Sequence, residues 1–211
     1  MVFELSASEC WFPDPELAEP DGLLAVGGDL SPERLMMAYQ RGIFPWFNDD
    51  NLILWYAPHE RFVLFPDEVR ISKSMRQIMR SGAFAVTCDQ AFDKVIGRCS
   101  HAKRKGQEGT WITSGMLQAY GTLHRLGRAS SVEVWLGDKM AGGLYGVPFG
   151  KVFCGESMFS DVPNASKAAL IWLCEHGTYK LIDCQVYTDH LASMGARMIS
   201  RNAYLRILGG D

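Results

Sequence analysis

The sequence predicts an α+β fold: a small N-terminal domain over residues 1–61, then a larger domain over residues 62–211 built around a mixed β-sheet. Three observations carry this. Turn signals crowd the first sixty residues. From residue 62 onward strand and helix patterns alternate, with hairpins in the middle and helices before and after. The chain has 211 residues, 47% of them hydrophobic and 21% charged, which is long and apolar enough to bury a core without disulfides or metal.

In chain order, Trp11-Phe12-Pro13-Asp14-Pro15, Pro20-Asp21-Gly22 and Gly27-Gly28-Asp29 punctuate the start. Ser31 can cap a helix with Pro32 in its first position, so the spacing predicts a helix over 32–40 that stops at Gly42. Ile43 to Phe47 reads as an aromatic loop. Residues 62–65 and 69–71 read as strands, 72–80 as a helix, 84–87 as a strand and 90–99 as a helix. A longer amphipathic helix follows over 114–126. Ser131–Leu136 alternates, with Val132, Val134 and Leu136 on one side and Glu133 and Trp135 on the other. Gly137-Asp138 turns the chain into a strand over 140–147, and Pro148–Gly150 turns it again into a strand over 152–155. Asn164 or Ser166 can cap a helix to about 175; 180–186 is a buried strand, and Leu191 and Arg201 lie near short helices.

Several function classes are excluded or disfavoured. The six cysteines include no C-x-x-C pair, and the five histidines show no metal-ligand spacing. No Walker loop, dinucleotide fingerprint or H-E-x-x-H is present, so no metal and no cofactor are expected. The N-terminal stretch lacks a basic segment before an apolar one, and no apolar run approaches 18 residues, so a cytoplasmic protein without membrane contact is expected, and a monomer. The net charge of −3 conceals an asymmetry: residues 1–69 carry 13 acids and 3 bases, residues 70–105 carry 9 bases and 2 acids. A basic block inside an acidic chain points to a local polyanion contact. On it, Lys73, Arg76 and Arg80 share a helix face, and Lys103, Arg104 and Lys105 precede Trp111.

Three clusters could carry chemistry. Asp183 and Gln185 stand two apart on a strand, facing one side, with Ile182, Cys184 and Val186 on the other. Such a pair either ties down a neighbouring helix or meets a substrate. Glu156, at the end of a strand among Phe153, Cys154, Met158 and Phe159, is poorly explained by strand-end and helix-cap chemistry. Trp111 beside the basic run either stacks a base while the cations hold phosphates or belongs to the core beside a solvated loop.

Segments along nearly the whole chain resemble the leucyl/phenylalanyl-tRNA–protein transferase family. They are Pro20 to Leu35 (PDGLLAVGGDLSPERL), Ala38 to Trp46 (AYQRGIFPW), Gly109-Thr-Trp-Ile112, Ser131-Val-Glu-Val-Trp135, Gly142-Gly-Leu-Tyr-Gly-Val147, Gly155-Glu-Ser-Met-Phe-Ser160, Asn164-Ala-Ser-Lys167 and Leu181-Ile-Asp-Cys-Gln-Val186. The chain departs from the family's pattern at Trp55-Tyr-Ala-Pro-His-Glu-Arg61 and at Ile199-Ser200-Arg201. The resemblance implies a GNAT-like (acyl-CoA N-acyltransferase-like) C-terminal domain. It also implies a reaction: Leu or Phe moves from aminoacyl-tRNA to the α-amine of a protein beginning with Arg or Lys, marking it for N-end rule degradation.

By the same resemblance, Asp183 polarises Gln185, and Gln185 orients and helps deprotonate the incoming amine. Glu156 is the candidate for holding the acceptor's Arg or Lys, as an anion at a pocket edge. Trp46 and Trp111 are candidates for packing around the terminal adenosine. Leu144, Phe153, Met158, Leu170 and Ile182 are candidates for the pocket that receives the Leu or Phe side chain, and the two basic groups for contact with the tRNA backbone. Two other readings compete. A GNAT-type acetyltransferase needs [QR]-x-x-G-x-[GA] opening a helix after a strand; the nearest approach, His124 to Ala129, lacks the first residue and that context. A non-catalytic RNA-binding module leaves Asp183, Gln185 and Glu156 unexplained.

Overall fold

The computed structural model describes residues 2–102 and 112–210. The N-terminal region holds a sheet that the turn signals had hidden. Its strands are β1 (Phe3–Leu5), β2 (Leu23–Gly27), β3 (Phe44–Pro45) and β4 (Leu54–Tyr56), in the order β1-β2-β4-β3. Strands of two to five residues are too short to display an alternating pattern, and the aromatic segment read as a loop contributes β3. Trp55 on β4 is fully buried and its indole N–H donates to the Gly27 carbonyl at 2.9 Å. Helix α1 (Pro32–Gln40) has the expected bounds. Ser31 Oγ accepts from the Arg34 N–H at 3.3 Å, and Gly42 leaves the helix at φ +69°.

A second sheet has seven strands: β5 (Glu60–Leu64), β6 (Ala85–Cys88), β7 (Ser130–Leu136), β8 (Lys139–Phe149), β9 (Val152–Ser160), β10 (Leu181–Gln185) and β11 (Arg197–Ser200). Their order is β11-β5-β10-β9-β8-β7-β6. All neighbours are antiparallel except β9 and β10, so the sheet is mixed, as expected. The helices of this region are α2 (Lys73–Arg80), α3 (Phe92–His101), α4 (Ser114–Arg125), α5 (Ala165–His176), α6 (Asp189–Ser193) and α7 (Arg201–Leu208).

Two cores flank the second sheet. One joins Tyr120 of α4, Val95 of α3 and Tyr204 of α7 to Leu24, Leu35 and Trp55 of the N-terminal region. The other packs Met75 of α2 and Leu170 and Leu173 of α5 against Leu144, Phe153 and Ile182 of the sheet. Each large apolar side chain so buried contributes about 1.5–3 kcal/mol. Helix α3 has no side-chain cap of its own at Ala91. Glu133, fully buried on β7, instead holds the backbone that leads into the helix, accepting from the Gln90 and Ala91 N–H groups at 3.4 Å each.

Two strand assignments are corrected. Residues 69–71 are not a strand: Pro66 sets a 3-10 turn over Pro66–Glu68, and the chain then runs on with the Arg70 N–H bonded to the Met194 carbonyl. The strand expected to end near Gly155 continues as β9 to Ser160, which places Glu156 mid-strand.

The β8–β9 pairing shifts register between Tyr145 and Gly146. A β-carbon on Gly146 would lie 2.2 Å from the Cys154 carbonyl oxygen, a backbone atom that cannot swing away. Gly146→Ala is therefore expected to destabilise the protein by about 1–3 kcal/mol, the usual cost of overpacking, read as a lower urea midpoint. An unchanged midpoint would mean the two strands can separate at no cost.

Candidate active site

Strands β9 and β10 pair in parallel only over Val152–Cys154 and Leu181–Asp183, and their pairing stops there. At the same level β10 breaks step with β5: a register shift falls between Asp183 and Gln185, and Gln185 takes φ +61°. A non-glycine residue in the left-handed region is strained, and surrounding contacts must hold it there. Asp183 does so by accepting from the Gln185 backbone N–H at 2.9 Å. The two residues are thus linked, but not side chain to side chain. The expected polarisation of the Gln185 amide by Asp183 is corrected to a grip on its backbone.

Asp183 is 2% exposed. Its second oxygen accepts from the Tyr204 hydroxyl at 2.9 Å and lies 3.5 Å from Arg61 Nη1. The Arg61 guanidinium lies between the rings of Phe44 and Tyr204, 4.7 and 4.6 Å from their centroids, and also donates to the Gly42 carbonyl. The Asp183 carboxylate thus has a cation beside it and two hydrogen-bond donors on its oxygens.

The Gln185 side chain crosses to β9, where its Nε2 donates to Glu156 Oε1 at 2.8 Å. Glu156 is 6% exposed. The Tyr39 hydroxyl is 2.8 Å from Oε1, and the Tyr120 hydroxyl 2.9 Å from Oε2. Burial pushes the Glu156 carboxyl up to about 7, with Asp183 adding to the rise and the hydrogen bonds of Tyr39, Tyr120 and Gln185 opposing it. The sequence expected an anion at a pocket edge; Glu156 lines the cavity, but β9 runs past it and three neighbours from α1, α4 and β10 occupy its oxygens.

A cavity of about 360 Å³ opens beside this network. Leu144, Phe153, Met158, Leu170 and Ile182 all line it, as do Trp46, Glu156, Asp183 and Gln185. Its lining is mostly apolar with a few polar side chains, the usual form of a site that holds an apolar ligand. Trp46 is 38% exposed and meets Tyr56 edge-on at 5.6 Å. Lys73, Arg76 and Arg80 lie exposed on α2, with no ion pair among the described residues. Lys103, Arg104, Lys105 and Trp111 lie outside the described residues. No three His, Cys, Asp or Glu among the described residues come together as a metal ion would require, and no described helix is long and apolar enough to cross a membrane.

The family model for leucyl/phenylalanyl-tRNA protein transferases matches residues 63–209, and the model for the N-terminal domain of the same proteins matches residues 28–59. The chain belongs to the leucyl/phenylalanyl-tRNA–protein transferase family. Proteins of that name include one from Anaeromyxobacter sp. (strain Fw109-5), 55% identical over 95% of this chain and 87% of its own length. Another, from Flavobacterium johnsoniae, is 53% identical over 95% of this chain and 96% of its own. Among solved structures, L-PGS from Bacillus licheniformis is 13% identical with a TM-score of 0.42, covering 81% of this chain and 57% of that one.

Within this family member, four residues that hold the site were not expected from the sequence: Tyr39, Tyr120, Arg61 and Tyr204. Tyr39 lies inside the motif Ala38 to Trp46, and Tyr120 on the apolar face of α4. Each read as core. The signal available was chemical: a tyrosine on a fully buried helix face needs a partner for its hydroxyl. Leu173, Thr188, His190 and Leu191 also line the cavity and were not expected. Burial, and Lys167 beside it, lower the His190 pKa, which keeps its ring neutral.

Glu156 gives this structure a pH dependence of definite sign. Its folded pKa is raised above the ordinary 4.5 to about 7, so between those values the folded state holds a proton that the unfolded state has lost. Stability from this group is present below about 4.5 and falls as pH rises to about 7, by roughly 3 kcal/mol in all. Glu156→Gln is therefore expected to gain stability relative to the wild type as pH rises through this window, in urea denaturation. A constant difference across it would show that the carboxyl is not shifted.

Proposed function

We propose that this chain moves leucine or phenylalanine from the 3′ end of an aminoacyl-tRNA to the N-terminal amine of a protein beginning with Arg or Lys, marking it for N-end rule degradation in the cytoplasm. Family membership supports the reaction. The observation that carries it is the cavity: a mostly apolar pocket of about 360 Å³ that Gln185 also lines. We read residues 1–61 and 62–211 as two domains, the second GNAT-like, working as a monomer.

The chemistry is aminolysis of an activated ester, so the driving force is already stored and no cofactor is needed. The enzyme must hold the ester carbonyl and the amine together, keep the amine neutral and support the tetrahedral intermediate. An α-amine with a pKa of about 8 is partly neutral near neutrality, so orientation supplies much of the rate. The amide nitrogen of Gln185 is committed to Glu156, which leaves its carboxamide oxygen to accept a hydrogen bond from the attacking amine. Asp183 acts through the backbone of Gln185, and Glu156 through its side chain. Leu144, Phe153, Met158, Leu170 and Ile182 receive the Leu or Phe side chain; Met158 lets one pocket take both shapes. Trp46, which lines the cavity and is 38% exposed, is read as packing around the terminal adenosine, and the same role is proposed for Trp111 by resemblance.

The basic face of α2 is read as a contact to tRNA phosphates that does not select sequence. Replacing Lys73, Arg76 and Arg80 with Gln should weaken donor binding and reduce the slope of log K against log[salt] by about 2–3. An unchanged slope assigns these residues no phosphate.

The reaction itself is tested by transfer of labelled Leu from Leu-tRNA to a peptide beginning with Arg, with a peptide beginning with Ala as control. Enlarging the pocket wall, as in Leu144→Phe or Met158→Phe, should reduce Phe transfer about tenfold more than Leu transfer, within the range a methylene or two is worth. Equal losses for both donors would make these residues plain core. Binding of coenzyme A with acetyl transfer to a peptide would instead favour a GNAT-type acetyltransferase.

A further inference from the structure

The contacts around Glu156 form a closed figure. The Tyr39 hydroxyl is 2.8 Å from Oε1 and the Tyr120 hydroxyl 2.9 Å from Oε2. The two hydroxyl oxygens are themselves 2.5 Å apart. That makes three edges, each needing one hydrogen. A phenol carries one hydrogen and an ionised carboxylate carries none, so with Glu156 ionised there are two hydrogens for three edges. One edge would then set oxygen lone pairs against each other in a site where Tyr39 is 1% and Tyr120 0% exposed. Burial raises both phenols well above their ordinary pKa, so neither ionises to change the count. Gln185 donates to Oε1 from outside the figure and fills no edge.

A proton on Oε2 completes it: Oε2–H donates to Tyr120, Tyr120 to Tyr39, and Tyr39 to Oε1. Oε1 is then a carbonyl oxygen that accepts from Tyr39 and from Gln185. We propose that Tyr39, Tyr120 and Glu156 form a ring of three hydrogen bonds in which Glu156 is a neutral carboxylic acid, and that this ring is a positioning device that turns the Gln185 carboxamide oxygen toward the attacking amine. The inference rests on the aminoacyl-transfer reading given above.

Neutrality at Glu156 matters to the chemistry. A buried carboxylate beside the attacking nitrogen would stabilise its ammonium form and withhold the lone pair. The other groups facing Glu156 do not undo this. Asp183 on β10 is paired with Arg61 of β5 and bonded to Tyr204 of α7. Cys154 on β9 is held as a neutral thiol by burial. Tyr145 of β8 packs its ring edge-on to Tyr120 at 5.6 Å. The amine therefore meets an uncharged carboxyl and a compensated one.

Isotope-edited infrared spectroscopy, taken as the difference between wild type and Glu156→Gln, reads the carboxyl directly. The expected result is a protonated-acid C=O band on the acid side of neutrality that gives way to a carboxylate band as pH rises. A carboxylate band alone throughout that range overturns the proposal, whether or not the chain transfers an amino acid. Kinetics at saturating donor supply the second reading. Tyr39→Phe and Tyr120→Phe should each lower kcat about tenfold, roughly the worth of one hydrogen bond, with donor affinity unmoved. Wild-type kcat/KM for an Arg peptide should fall on the alkaline side as the ring loses its proton. Glu156→Gln, whose amide supplies the ring's third hydrogen, should lose that alkaline fall. A Glu156→Gln variant that keeps the fall and raises KM for Arg and Lys peptides shows instead that Glu156 acts as an anion. Absence of transfer by the wild type defeats the aminoacyl-transfer reading and leaves the infrared result standing.

Discussion

Arg61 carries a guanidinium into a place that is 2% exposed, between the rings of Phe44 and Tyr204, and Asp183 carries a carboxylate into the same place. Neither charge is tolerable there alone; removing one partner of such a pair leaves a buried charge that costs about 3–5 kcal/mol. Arg61 comes from the second sheet, Phe44 and the Gly42 carbonyl from the N-terminal region, and Tyr204 from the last helix. The pair therefore fastens three parts of the chain at one point, and that point is where β10 breaks step.

The strain at Gln185 follows from this anchor. With Asp183 fixed by Arg61 and Tyr204, its remaining oxygen holds the Gln185 N–H, and the residue stays at φ +61°. From there its side chain spans the gap between β10 and β9 to reach Glu156. A residue on an ordinary strand would spend its backbone on a neighbour and point its side chain straight out of the sheet. The bulge instead brings a carboxamide to the lining of an apolar cavity, held by its backbone on one side and its amide nitrogen on the other. Pre-organisation of this kind is what an aminolysis needs when its ester is already activated.

Local signals read well in this sequence where one residue type does one local job. Ser31 and Pro32 fixed the start of α1. Asp183 and Gln185 were legible from their two-residue spacing on a strand, and Leu144, Met158 and Ile182 lie in segments that resemble the family; all five line one cavity with Phe153 and Leu170. Long-range matters were not legible. Glu133 looked like one polar position on an alternating strand, but it holds the backbone segment that leads into α3. Glu156 looked like a strand-end anion because nothing in the sequence says that β9 continues past it. Tyr39 and Tyr120 are 81 residues apart, and only the packing of α1 against α4 brings their hydroxyls together. The strands of the first sheet escaped because two to five residues cannot show a period.

In the proposed reaction Asp183 acts through the backbone of Gln185 on the chemical step rather than on tRNA binding. Single-turnover transfer of Leu to an Arg peptide, at saturating aminoacyl-tRNA and varied peptide, tests this with Asp183→Asn, Gln185→Ala and the double variant. Each single change should lower the transfer rate while donor affinity stays at the wild-type value, and the double variant should be little worse than the worse single one, because both remove the same held carboxamide. A change in donor affinity alone, or losses that simply multiply, would contradict it.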